Sequence, residues 1–381
     1  MRKIAIVTPG TFTLPSEHCS SVENIVQQTS VRLASRYIFR IYCKKEPQQA
    51  ALERIGGITY VRPWASTRTL YWRRTVQSLR RSFSDAIQLE NRPMRISFIR
   101  KAFPKKPLIL QLHSVQFISM SSKRKMSGQL ERCDRIVVNS HFLQRYVSER
   151  FPHIAQLVRV NYPGVDPNVY EPKWTEAGNQ IASDMKRGLG YEGKNIVLYA
   201  GRLIEQKGIH HLLYAVPEVI RKHPETVFVI VGSPYYGKHH ITPYVASLHQ
   251  LGNQFPQHVR FIPFIAHDQI RYWYTMADVV VVPSERDEAF GLVNIEAMSS
   301  GVPVVATDAG GIGEIVKDGE TGFLVTGAER VSGLAERIDL LLSDDSLRLR
   351  MGTAGREKVL QQFTWDHTAM RMAGIYREIG L

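Results

Sequence analysis

Two carboxylates, Glu288 and Glu296, flank the segment Phe290-Gly291-Leu292. The run from Pro283 reads as a strand end, a polar loop and then a helix opening near Gly291. This spacing sets Glu288 on the loop and Glu296 about one and a half turns into the helix, so the pair suits the grip of hydroxyls at two points of one extended ligand. Between them, backbone N–H groups at Gly291 and Leu292 make an anion site at a helix N-terminus. A second set, Gly201-Arg202-Leu203-Ile204-Glu205-Gln206-Lys207-Gly208, places two cations on one strand-to-helix turn and is a diphosphate clamp in outline. Either set alone also reads as solvated surface charge. The glycine-rich turn Asp308-Ala309-Gly310-Gly311-Ile312-Gly313-Glu314 lacks GxGxxG spacing and gives little support for a dinucleotide site.

The elements that must position these groups are short β-rich runs alternating with helical stretches: Lys3–Pro9, Phe39–Lys44, Ile58–Arg62, Ala86–Glu90, Leu108–His113, Arg135–Ser140 and Val158–Tyr162, then Ile196–Gly201, Val227–Gly232, Val259–Phe264, Val279–Pro283, Pro303–Thr307 and Gly322–Val325. Such alternation implies βαβ units and parallel sheets. Continuous runs such as Val279-Val280-Val281-Val282 fit strands covered on both faces. Between the two series, Tyr162–Gly193 is crowded with proline and glycine and is the best domain junction. At 381 residues, the chain favours two domains over one. Two doubly wound sheets joined there are expected to face one another across a cleft at the carboxyl ends of their strands, where such sheets bind ligands.

In combination these motifs are specific. Gly201-Arg202 with Lys207-Gly208, Pro283-Ser284, the Glu288-to-Glu296 span, Ala297-Met298 followed by Gly301-Val302-Pro303-Val304-Val305-Ala306, Gly311 with Glu314, and Asp318-Gly319 with Gly322 occur in the order seen in glycosyltransferase family 4. The sequence closely resembles those retaining, nucleotide-sugar-dependent, group 1 enzymes of the GT-B fold. The likeness is dense over residues 194–330 and thinner elsewhere, where Gly164-Val165-Asp166 and the stretch Trp365 to Tyr376 also look like family features.

The resemblance implies that Arg202 and Lys207 bind the donor diphosphate, that Glu296 accepts hydrogen bonds from ribose hydroxyls, and that Glu288 contacts the donor sugar near the reacting centre. It also implies a role for His113, at the end of Leu108–His113, in orienting the sugar or the acceptor rather than serving as an obligatory base. The chain departs from the family after its first strand. Where a Gly-Gly pair usually lies against the donor phosphate, it carries Cys19-Ser20-Ser21-Val22-Glu23-Asn24. Ser20 and Ser21 could cap the next helix and meet a phosphate there, but the lost glycines restrict close approach and put that contact, and full activity, in doubt.

Charge divides unevenly. Residues 1–180 hold 29 Lys and Arg against 12 Asp and Glu, and residues 181–381 hold 20 against 23, so the formal +14 belongs to the first half. That half is expected to meet something anionic. Within it, Tyr71, Trp72, Leu79 and Phe83 interleave with Arg68, Arg73, Arg74, Arg80 and Arg81, and Lys123-Arg124-Lys125 adds a second basic cluster. The pattern suits an amphipathic helix on anionic lipid or, equally, a solvated basic face with its aromatics in the core. No nucleic-acid motif accompanies it. No apolar stretch reaches spanning length, the apolar run after Arg2 and Lys3 stops at Pro9 like a strand rather than a signal peptide, and Cys19, Cys43 and Cys133 are too few and too widely spaced for a disulfide framework or a zinc site. A cytoplasmic protein, peripheral on the inner membrane face, is the expectation.

The sequence therefore leads to an α/β protein of GT-B type. Residues 1–172 plus 365–381 are read as the acceptor domain and residues 173–364 as the nucleotide-sugar donor domain, both Rossmann-like. The expected activity is transfer of a hexose, with retention, from a nucleotide diphosphate sugar to a membrane-associated or surface-glycan acceptor, with UDP favoured as the nucleotide. No cofactor and no metal are expected: the chain has no Asp-x-Asp, and the fixed cations suit the departing diphosphate. The rival readings are a degenerate scaffold or anionic-polymer binder, and a nucleotide-sugar epimerase or hydrolase.

Overall fold

A computed structural model describes residues 1–16, 20–235 and 241–381. The chain forms two compact units, one from Met1–Gly164 together with Trp365–Leu381 and one from Val165–Thr364. The first division falls before Pro167 and Pro172 rather than after them.

The first unit is built on eight strands: β1 (Arg2–Val7), β2 (Tyr37–Tyr42), β3 (Leu52–Ile55), β4 (Ile58–Val61), β5 (Ala86–Glu90), β6 (Leu108–Leu112), β7 (Arg135–Val138) and β8 (Val158–Val160), ordered β3-β4-β2-β1-β5-β6-β7-β8. All neighbours are parallel except the β3–β4 hairpin. Strand β3 is absent from the sequence expectation because its side chains are largely exposed and give no buried run. The signal for it was Gly56-Gly57, both at positive φ, which makes the two-residue turn that a right-twisted hairpin requires.

The second unit has β9 (Asn195–Ala200), β10 (Thr226–Val231), β11 (Val259–Ile262), β12 (Val279–Val282), β13 (Val304–Thr307) and β14 (Gly322–Val325), ordered β11-β10-β9-β12-β13-β14 and parallel throughout. Its central strands β10, β12 and β13 are wholly buried, as their β-branched runs require. In each sheet the strand order reverses beside the first strand, at β1/β5 and at β9/β12. Doubly wound sheets bind ligands outside the carboxyl ends at such points.

The helix Arg68–Arg81 decides one of the open readings. Its Thr67 cap accepts from Leu70 N at 3.2 Å, and Tyr71, Trp72, Thr75, Val76 and Leu79 turn inward. The buried Tyr71 hydroxyl donates to Tyr42 O at 2.9 Å. The aromatics on this helix therefore belong to the core and do not lie at a headgroup boundary, while Arg68, Arg73, Arg80 and Arg81 face water and Phe83, beyond the helix, is exposed. No helix among the described residues is long and apolar enough to cross a membrane.

The C-terminal helix Trp365–Arg377 completes the first unit. Its Ala369, Met372, Ala373 and Tyr376 join the core with Ile4, Phe39, Ile41 and Val137, and Thr368 donates to Tyr162 O at 2.9 Å.

In the second unit, Asp278, at the entrance to β12, accepts Ile196 N at 2.7 Å and pairs with Lys186 at 3.2 Å and with Lys173. Burial alone would raise this carboxyl, but the two lysines outweigh it and hold the group below its ordinary value. Because the folded value lies below the unfolded one, the stabilisation is complete above pH ~4 and is lost as pH falls through the folded value. Asp278→Asn is expected to cost about 3 kcal/mol at neutral pH. In calorimetric scans from pH 7 to 3 the melting temperature of the wild type should fall more steeply below pH ~4 than that of the variant.

Candidate active site

The turn after β9 and the loop after β12 are locked together before any charged group is considered. Gly208 has φ +64°, and a Cβ there would lie 1.8 Å from Pro283 O, so only glycine lets the two segments approach. Glu285 N donates to Gln206 O at 3.0 Å. The Tyr199 hydroxyl donates to Arg202 O at 2.8 Å and fixes the start of the turn, leaving the Arg202 side chain exposed.

This packing brings Lys207 onto Glu288. The two form an ion pair, and Ser284 Oγ donates to the same carboxylate oxygen at 3.1 Å. Burial would raise the Glu288 carboxyl, but Lys207, Ser284 and the charge of Arg202 hold it below its ordinary value, so it is a carboxylate at neutral pH. Asp287, immediately before it, sits at φ +55°, a left-handed conformation unusual outside glycine and characteristic of strained functional loops. The Glu288 carbonyl accepts Gly311 N at 2.8 Å, so the glycine-rich turn after β13 supports the loop from behind.

Glu296 is held by a separate set of partners. It lies buried on the helix Leu292–Ser299, which opens at Gly291. Tyr274 donates to its Oε2 at 2.8 Å and His267 Nε2 meets its Oε1 at 3.2 Å. Burial opposes ionisation, but these two bonds prevail and keep Glu296 below its ordinary value; the bond to Glu296 in turn pushes His267 up. A carboxylate offers about four lone-pair positions, so two remain for ligand hydroxyls.

Ser284 stood in the Pro283-Ser284 motif without an assigned role, whereas His267 and Tyr274 were not singled out in the sequence, and no spacing rule connects them to Glu296. The same is true of His210 and His211. Their Nε2 atoms lie 3.1 Å and 2.6 Å from Glu285 Oε1, while Arg330 takes the other oxygen and donates to Glu285 O at 2.8 Å. His210, His211 and Glu285 have ligand atoms close enough to converge on a metal. Arg330 supplies the countercharge the carboxylate needs, and the group reads as a clamp on the loop.

In the first unit His113 follows β6. Its side chain is 5% exposed, and its Nε2 lies 2.9 Å from Glu90 Oε2. Gln88 Nε2 donates to Glu90 Oε1 at 2.6 Å, and Tyr376 donates to Gln88 Oε1 at 2.6 Å, so the C-terminal helix ends a buried polar chain that begins at His113. His113 Nδ1 is buried without a hydrogen-bond partner among the described residues. Of the expected phosphate loop, Cys19 lies outside the described residues. Ser20 stands at the N-cap of the helix Ser21–Leu33 but makes no side-chain cap bond, contrary to expectation; its hydroxyl instead donates to Glu23. Burial pushes the Glu23 carboxyl up, toward the neutral form. Ser21 is exposed.

Residues 181–358 match the family Glycosyl transferases group 1, and residues 22–169 match Glycosyltransferase Family 4. Along 99% of both chains the sequence is 30% identical to spore coat protein SA of Bacillus subtilis (strain 168). It is a group 1 glycosyltransferase of the family 4 type. Among solved structures, this glycosyltransferase superposes on sucrose-phosphate synthase from Thermosynechococcus elongatus with a TM-score of 0.81 at 21% identity, covering 100% of this chain and 99% of that one. On the Anabaena protein HepE, solved in complex with UDP-glucose, the TM-score is 0.79 at 22% identity, covering 99% and 100%. These likenesses establish the GT-B fold.

One substitution tests the support beneath Glu288 in the glycosyltransferase. Gly310 has φ +66°, and a Cβ there would meet Glu288 O at 2.2 Å. Gly310→Ala is expected to destabilise the protein by about 1–3 kcal/mol, read as a lower midpoint in urea unfolding. Gly193→Ala, also at positive φ but with open space around its Cβ, should cost less.

Proposed function

We propose that the protein transfers a hexose from a nucleotide diphosphate sugar, with UDP as the nucleotide, to a membrane-associated or surface-glycan acceptor with retention at the anomeric carbon. The observation that carries this reading is the Lys207–Glu288 pair, one cation and one carboxylate held together at the switch point of the second sheet with Arg202 beside them. An incoming diphosphate would compete with Glu288 for Lys207. Engagement of Lys207 by phosphate would release the Glu288 oxygens to accept hydroxyls of the sugar. Binding of the donor would then itself prepare the carboxylate.

As the donor bond breaks, negative charge grows on the leaving phosphate, where Arg202, Lys207 and the N–H groups at Gly291 and Leu292 would stabilise it. These fixed donors support catalysis without a metal. Retention follows if the acceptor hydroxyl attacks from the face the leaving group departs from and the departing phosphate takes its proton. No base is then required of Glu288, which its ion pair keeps as a carboxylate. Glu296, with two lone-pair positions left by Tyr274 and His267, suits the ribose. His113 orients a hydroxyl through Nδ1, the nitrogen that Glu90 leaves open. The outward arginines of Arg68–Arg81 support residence at an anionic membrane surface through charge alone.

The two carboxylates should separate in experiment. Glu296→Gln is expected to weaken UDP binding about tenfold, whereas Glu288→Gln should leave it within about threefold and depress turnover by about a hundredfold or more. Calorimetry and single-turnover kinetics check this, and normal behaviour of both variants would refute the assignment. Arg202→Ala or Lys207→Ala should each weaken UDP binding about tenfold or more, the value of a charge-assisted phosphate contact.

Activity with UDP-hexose is expected to survive excess EDTA. Complete loss on chelation, restored by magnesium or manganese, would overturn the metal-free reading.

A further inference from the structure

Three arginines of the first unit, Arg68, Arg92 and Arg95, have no place in the donor site. Arg92 follows Glu90-Asn91 directly, and Asn91 Oδ1 accepts the His113 backbone N–H at 3.2 Å. The half-buried Arg92 donates to Asn91 O at 2.9 Å, and its guanidinium lies over Phe117, 5.0 Å from the ring centroid. Arg95 closes the short turn Pro93–Arg95 and lies over Trp72 at 5.7 Å. Arg68 stands one turn before Trp72 on the helix Arg68–Arg81, so it neighbours the ring that Arg95 covers. Both guanidinium groups thereby lie over aromatic rings, and among the described residues none of the three arginines is ion-paired.

Like charges gathered at a partly buried site destabilise it unless something anionic joins them. Burial and the charge of Arg68 push the Arg92 guanidinium down from its ordinary value, with Arg95 adding to the effect. Glu23 opposes it, but burial pushes the Glu23 carboxyl toward its neutral form, which makes it a poor counter-ion. Planar guanidinium forks suit phosphate and carboxylate, which they bind in bidentate fashion. Arg92 and Arg95 follow the end of β5, at the switch point of the first sheet, and Arg92 is tied through Asn91 to His113, whose Nδ1 lacks a partner.

We infer that Arg68, Arg92 and Arg95 form an anion subsite that receives the phosphate or carboxylate of a sugar acceptor, and so select anionic over neutral acceptors. The word acceptor rests on the transferase reading above; the anion subsite itself does not. Arg92 is the central contact, because it is half-buried and is joined through Asn91 to the backbone of His113.

The test is calorimetric titration of inorganic phosphate, glucose 6-phosphate, glucuronate and glucose into the full-length protein saturated with UDP, so that Arg202 and Lys207 are already occupied. Inorganic phosphate and glucose 6-phosphate, or glucuronate, should bind saturably while glucose does not, and the comparison assigns the subsite to phosphate or to carboxylate. Arg92→Gln should weaken the bound anion tenfold or more with UDP affinity unchanged. Arg68→Gln, at an exposed position where folding is not at stake, should weaken it several-fold. Anion affinity equal to wild type in both variants, or no anion binding at all, would overturn the inference. If UDP itself fails to bind, the donor reading fails separately, and the same titration in an Arg202→Ala background still decides the subsite; loss of anion binding in that background would place the anion on the donor clamp and overturn it.

Discussion

The ion pair between Lys207 and Glu288 joins two segments that the sheet alone would leave independent, the turn leaving β9 and the loop leaving β12. A parallel sheet covered on both faces has no room for charge along its strands, so charged groups collect where the strands end. At the reversal of strand order two such ends diverge. There Gly208 lets the turn lie against the Pro283 carbonyl, Ser284 shares the carboxylate with Lys207, and Gly310 leaves room for the Glu288 backbone. The pair meets the needs of each partner: the lysine lowers the cost of a buried carboxylate, and the carboxylate keeps the ammonium aimed inward.

Much of this was legible in the sequence, for physical reasons. A strand buried on both faces must be a near-continuous apolar run, and Val279–Val282 or Thr226–Val231 admits few other readings. Spacing set the cations and carboxylates of the second unit at strand ends and a helix start, but only their order among the other motifs distinguished them from solvated surface charge. Strand β3 was hidden because an exposed edge has no burial pattern to display. The helix Arg68–Arg81 was ambiguous because an aromatic and basic stripe looks alike whether the aromatics face lipid or core; the packing of Tyr71 under Tyr42 decides it.

What the sequence concealed are contacts between distant residues. His267 and Tyr274 precede Glu296 by a loop and a strand, and His211 is 74 residues from Glu285. None lies at a spacing that a helix or strand period would reveal, and each acts through a single polar atom. The Tyr376–Gln88 bond spans 288 residues. Such partners become visible only when the fold has brought the elements together. Ser20 went the other way: its position and type fit a helix cap, yet its hydroxyl goes to Glu23, because a buried carboxyl without a donor costs more than an uncapped helix end at the surface.

The return of Trp365–Arg377 to the first unit carries a consequence for how the protein is made. The chain enters the second unit at Val165 and leaves it at Thr364 without interruption, so everything that unit needs emerges from the ribosome as one continuous stretch. The first unit has no such independence. Its sheet is synthesised early, but the helix that covers Ile4 and Phe39, and the tyrosine that closes the buried chain from His113, arrive only after the whole of the second unit. During that interval an apolar face of the nascent sheet stands uncovered. The unit begun first is therefore the one finished last, and a chain that stopped short of Tyr376 would lose the tyrosine that ends the buried chain from His113 while keeping Lys207, Glu288 and Glu296.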